Sequence, residues 1–254
     1  MNRVDAAFSD RKTEVESYLL FVETIERCLQ SGQTTIRIGD EEIKVTPLQQ
    51  RILYAGIYLH LYNLVESTVT LLIEAIESAA MASGDISGGD LSLIMRKQWI
   101  KATACTHQLL EPENRLKKAM EVCDQLLGLM PFTMNIPRKA GGNWDDVEIE
   151  KLAERLGIAL SISQDVKESV KRPARDNKGP LRLIRDFRNK LAHGSISFSE
   201  CGNDHVASDL RSIADVTLRY MSIVIEAFRQ YILTSEFLDP SVRTPQGAEV
   251  STVQ

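Results

Sequence analysis

Residues 46–76 limit the fold of this chain more than any other stretch. Thr46 is a good helix cap and Pro47 suits a first turn. Ile57, Leu61, Val65, Leu72 and Ile76 then recur through a segment that is apolar nearly all round. A helix of that kind cannot bury one stripe and leave the rest to water, so it must be central and enclosed. Other helices are available to enclose it. Residues 4–30 carry Phe8, Val15, Leu19, Val22, Ile25 and Leu29 at spacings of three, four and seven, with Gly32 as a stop. Residues 93–111 and 116–129 continue the helical period, Asp145 caps a segment reaching Leu156, and residues 207–233 form a long closing helix.

The helical period breaks clearly in one place, residues 34–45. Ile36 and Ile38 alternate with polar neighbours, Gly39-Asp40 turns the chain, and Ile43 and Val45 alternate on the return, which predicts a small hairpin. Residues 130–143, with Pro131, Pro137, Gly141 and Gly142, and residues 195–205 are predicted as loops, the latter with a few extended residues at Ile196 and Phe198. The expectation is an all-α helical bundle with a β-hairpin insertion near its start. Residues 1–45 would pack on a main domain of residues 46–236, and residues 237–254, poor in apolar content, would form a flexible tail.

A net charge of −5 argues against a protein that coats nucleic acid by bulk electrostatics. A local basic stretch nevertheless runs through Lys171, Arg172, Arg175, Lys178, Arg182, Arg185, Arg188 and Lys190, opposed only by Asp176 and Asp186. It reads either as a solvated face or as an RNA-binding surface. Cys28, Cys105, Cys123 and Cys201 lack paired metal-ligand spacing, Cys105-Thr106-His107 has no second ligand pair, and Gly84–Gly89 lacks the Lys and Ser/Thr of a phosphate loop. No metal or cofactor is expected. His60, in an apolar helix, reads as a core residue, and His205 as a loop residue without evident partners. No signal-peptide pattern and no membrane-length apolar run are seen, so a cytoplasmic protein with reduced thiols is expected.

Residues 181–194, LRLIRDFRNKLAHG, hold the features that bear on chemistry. Leu181, Ile184 and Leu191, widened by Leu183 and Phe187, make one apolar face; Pro180 starts the helix and Gly194 stops it. Arg188, Asn189 and His193 fall near its end, where the helix dipole favours a cation. Arg188, four residues, then His193, with Asn189 after the Arg, resembles the signature of the HEPN superfamily. Together with RNKLAHGSISFSECGNDHVASDL, GGNWDDVEIEKLAERLGI and LYNLVESTVTLL, it is similar to the branch of MAE-type stand-alone HEPN-like nucleases, over residues 48–233. That resemblance implies a helical, homodimeric, metal-independent endoribonuclease from a toxin or phage-defence setting, with an antitoxin or defence-system partner.

RNA supplies its own nucleophile. An enzyme need only move a proton from the 2'-hydroxyl, stabilise the phosphorane and protonate the leaving 5'-oxygen. His193 would be the general base or acid, Arg188 would neutralise the phosphorane, and Asn189 would orient phosphate or His193. Two copies meeting at the site would supply both acid and base. Asn63 and Glu66 share one side of the central helix with Ser67 and Thr70. They could support the site, Glu66 by pairing with Arg188, or could face water. Lys171, Arg172, Arg175, Lys178, Arg182, Arg185 and Lys190 would hold the RNA. The competing readings are a catalytically silent helical module that binds RNA or protein, and a motif in which Arg188 pairs with a core carboxylate while His193 only ends its helix. A Tyr just after the motif, which a partner nucleotidyltransferase would modify in some family toxins, is missing: Gly194 and Ser195 stand there.

Overall fold

The computed structural model describes residues 1–32, 34–84, 86–105, 108–138 and 143–243. Its axis is α2, Pro47–Ala82, which Thr46 opens with a capping box closed by Gln49. Tyr58, Leu61, Leu64, Val65, Leu72, Ile73 and Ile76 are all nearly inaccessible, as a helix apolar on several sides requires. Each large apolar side chain so enclosed contributes about 1.5–3 kcal/mol. α1, Asn2–Gln30, adds Val15, Leu19 and Val22 to the same core, and α9, Ala207–Leu233, adds Leu210, Val224 and Phe228. The first segment therefore builds the bundle's interior as well as lying on it. The hairpin, β1 Thr35–Ile38 and β2 Glu41–Lys44, pairs antiparallel with Ile36 opposite Ile43 and stays outside that core.

α7, Pro180–Ala192, lies against α2 through Leu181, Leu183, Ile184 and Phe187. The Phe187 ring meets that of Tyr58 at 4.8 Å between centroids. α5, Asp146–Leu156, and the short α6, Gln164–Lys171, pack nearby; α6 buries only Val166 and Val170, too few for a period to register in the sequence. α3, Leu93–Thr103, and α4, Pro112–Leu126, form an outlying pair. No helix among the described residues is long and apolar enough to cross a membrane.

Two expectations are corrected. Residues 198–201 form a one-turn helix, α8 (Phe198–Cys201), in place of extended chain, because Ser197 and Glu200 close a capping box around it. The tail does not start at residue 237: Phe237 and Leu238 are buried, Ser92 N–H donates to the Phe237 carbonyl, and Asp239 N–H donates to the Asp90 carbonyl. Apolar side chains directly after α9 thus extend the core. Residues 244–254 of that expected tail, Thr106 and His107, and Gly141-Gly142 lie outside the described residues.

The start of α7 depends on Gly179. A Cβ built there would stand 2.1 Å from the carbonyl oxygen of Val170, at the end of α6. Backbone cannot yield as a side-chain tip can. Gly179→Ala is expected to lower stability by about 1–3 kcal/mol, read as a fall in the thermal or urea midpoint, because α7 must shift off its seat.

Candidate active site at the end of α7

Arg188 reaches from α7 to α2 and is held on several sides. One Nη donates to Glu66 Oε2 at 3.3 Å, and the guanidinium lies 4.2 Å from the Tyr62 ring centroid. The other Nη donates to Asn189 Oδ1 at 2.8 Å. Asn189 Nδ2 then donates to Asn143 Oδ1 at 2.7 Å, and Asn143 N–H donates to the Tyr62 hydroxyl at 2.8 Å. The contacts close a ring from Arg188 through Asn189, Asn143 and Tyr62 back to Arg188. Burial, and then the neighbouring Glu66 carboxylate, hold the Tyr62 phenol above its ordinary pKa, so it stays a neutral ring under the cation. An exposed ion pair contributes about 0–1 kcal/mol and an exposed cation–π contact about 0.5–1 kcal/mol, so the ring orients Arg188 more than it stabilises the fold.

Sequence reasoning reaches Glu66 but neither Tyr62 nor Asn143. Tyr62 sits within an apolar run, where an aromatic reads as core. Asn143 takes a positive φ of 60°, a local geometry that leaves no mark beyond the residue type. Two expected roles change. The Asn63 side chain is exposed and makes no hydrogen bond among the described residues, whereas Glu66, one turn later, meets Arg188. Asn189 spends both ends of its amide on Arg188 and Asn143, so its side chain orients Arg188 and not His193.

His193 is the C-cap of α7. Its N–H donates to the Asn189 carbonyl at 3.0 Å, while Gly194, at φ +66°, turns the chain away. The imidazole is exposed and has no hydrogen-bond partner among the described residues. Arg188 is not a core residue either: its side chain keeps 28% of its exposure and Glu66 keeps 37%. His193 follows Arg188 by five positions, which sets them about 140° apart around the axis. A hollow of about 700 Å³ between α5 and α6 includes Lys171 but neither Arg188 nor His193.

The basic stretch is less free than its sequence implies. Lys171 pairs with Asp146, and Arg185 pairs with Asp145 and Asp186. Lys178 pairs with Asp186 at 2.7 Å. Arg175 donates to the carbonyls of Cys201 and Asn203 at 3.3 and 2.9 Å. Burial opposes ionisation of Asp186, but Lys178 and Arg185 outweigh it and lower its pKa, so both cations are matched by a committed anion. These four are fastened to the fold because the start of α5, Asp186 of α7 itself, and the end of α8 with the segment after it present acceptors to them. Arg172, Arg182 and Lys190 are exposed and form no ion pair among the described residues. They are the cations left for a polyanion. Also among the described residues, no three His, Cys, Asp or Glu side chains converge as metal ligands would.

His205 has partners that its loop position conceals. Its Nε2 lies 2.9 Å from the Tyr58 hydroxyl and 2.9 Å from Arg175 Nη1. Arginine can only donate, so Nε2 is the bare nitrogen and the ring is neutral. Burial, and after it the Arg175 charge, push the imidazole down to about 4. His60 stacks on Tyr18 with centroids 4.5 Å apart, in keeping with a packing role.

Residues 2–237 match the model of a family described as HEPN_MAE_28990:/-like HEPN. The match takes in α1, which the resemblance over residues 48–233 leaves out. No curated protein and no solved structure matches the chain.

The His205 environment has a measurable consequence. The folded ring binds its proton at about 4, against 6.5 for an unhindered histidine, so the unfolded chain binds more protons between those values. Stability is expected to decline as pH falls from 6.5 towards 4. Urea titrations should show a weaker decline in His205→Gln, which keeps an acceptor for Arg175 but does not titrate.

Proposed function

The chain belongs to the HEPN_MAE_28990-like family, and from that premise we propose that it is a metal-independent endoribonuclease, acting in the cytoplasm as a toxin or phage-defence effector restrained by a partner protein. Family membership points to a nuclease or RNA-related module. The observation that supports the enzymatic reading is the contrast at the end of α7: Arg188 is fixed by Glu66, Tyr62 and Asn189, while the His193 imidazole is exposed and unengaged among the described residues. A preset cation and a solvent-facing acid–base group at the end of one helix, brought to a common phosphate by a second copy, suit cleavage of a phosphodiester by its own 2'-hydroxyl.

In this reading a phosphate takes the place of Glu66 at Arg188, which stabilises the charge that grows on the phosphorane. His193 moves the proton, and Arg172, Arg182 and Lys190 hold the flanking backbone. One imidazole cannot conveniently serve both sides of an in-line displacement. A second copy would supply the other, and α2 offers a surface for it. Leu48, Ile52 and Leu59 are exposed and lie on the same line of the helix as Asn63 and Glu66. Pairing along that line would bring two motif ends together and help bridge the separation of Arg188 from His193 around α7.

Glu66 also favours a second reading, a catalytically silent module that binds RNA or a protein partner, because its carboxylate already neutralises Arg188. RNA cleavage in the presence of chelator separates the two. Wild type is expected to yield 2',3'-cyclic phosphate and 5'-hydroxyl ends, and His193→Ala and Arg188→Ala to lose about 10²–10⁴-fold in rate. Undiminished cleavage by folded His193→Ala would remove the mechanism. Salt-sensitive RNA binding without scission by wild type would establish the module.

A further inference from the structure

α4 sits on the body with the opposite side to the one an amphipathic helix normally buries. Leu116, Met120, Cys123 and Leu127 fall within about 60° of one another around the helix axis. All four are exposed, Leu116 at 65%, Met120 at 51% and Leu127 at 72%. The side facing the protein carries Val122 and the buried Gln125, whose Oε1 accepts from Thr133 N–H at 3.1 Å. Thr133 is held in turn by its carbonyl, which accepts from Trp99 Nε1 at 3.1 Å. A polar anchor thus fixes α4 with its apolar stripe outward, and Leu129 and Met130, whose N–H groups donate to the Asp124 carbonyl, are exposed just past its end. Contiguous exposed apolar surface of this kind marks a site of association.

The charges beside the stripe select the occupant. The spacing 116, 120, 123, 127 is that of a coiled-coil seam, and Lys117 and Asp124 both follow a seam position on the same flank. Neither has an ion pair among the described residues, whereas Lys118, turned towards the body, is already matched by Glu121 at 2.6 Å. In an antiparallel pair of identical helices centred between Met120 and Cys123, Leu116 meets the partner's Leu127, Met120 meets the partner's Cys123, and Lys117 comes opposite the partner's Asp124. A parallel pair would set this flank against the opposite flank of the partner helix, where Pro112 and Ala119 offer no charge to meet. We propose that this face of α4 pairs antiparallel with α4 of a second copy of the chain, through a two-fold contact separate from the one along α2 and independent of whether the protein cleaves RNA.

Mass measured by light scattering over a concentration series tests this. Leu116→Lys/Leu127→Lys, with unchanged circular dichroism, is expected to lower the wild-type mass: from an assembly larger than a dimer to a dimer if copies also pair along α2, from dimer to monomer if they do not. Lys117→Glu and Asp124→Lys should each weaken the assembly, and Lys117→Glu/Asp124→Lys should restore it. A short bis-maleimide should join two wild-type chains but not two Cys123→Ser chains. A wild-type monomer, an unchanged mass in the double Leu variant, or a charge-swapped double as weak as the singles would overturn the proposal. RNA cleavage is read separately, so loss of the nuclease reading leaves this test intact.

Discussion

α2 has no broad side that it can leave to water, and the rest of the fold follows from enclosing it. α1, α7, α8 and α9 all pack against it, and what remains open is a line through Leu48, Ile52, Leu59, Asn63 and Glu66. The motif helix meets α2 beside that line. Tyr62 is buried against the core, yet its ring edges the surface closely enough to lie under Arg188. The residues that orient the cation are therefore a by-product of the way the central helix is covered. A site assembled in this way has a rigid floor and an open top.

Charge is distributed by the same packing. Read along the chain, residues 171–190 are a dense run of cations; in the fold, Lys171, Arg175, Lys178 and Arg185 turn to Asp146, the carbonyls after α8, Asp186 and Asp145. Asp145 is also the N-cap of α5, so one carboxylate opens a helix and anchors the motif helix together. The remaining exposed cations, Arg172, Arg182 and Lys190, are few for a protein of net charge −5. A polyanion would be held locally, and with so few phosphates neutralised the hold would weaken only gradually with salt.

Long helices with regular apolar spacing are legible in the amino-acid sequence: α1, α2, α7 and α9 lie close to where their periods put them, and Glu66 could be linked to Arg188 from its place on α2. What escapes is information that no period carries. α8 is one turn created by a capping box, Asn143 enters the site from 46 residues away through an unusual backbone angle, and His205 depends on Tyr58, 147 residues away. For α4 the period is right, but a helical wheel shows only that a stripe exists. Its facing was set by Gln125 and Thr133, a polar contact that hydrophobic pattern cannot weigh.

The ring around Arg188 is closed by a residue outside both helices. Asn143 lies on the segment leading into α5, and it touches Tyr62 with its backbone and Asn189 with its side chain. Withdrawing that one residue would free the Asn189 amide and loosen the guanidinium without unwinding a turn of helix. The posture of Arg188 is thus tied to a length of connecting chain outside both helices, so the direction of the guanidinium can change while every helix stays wound.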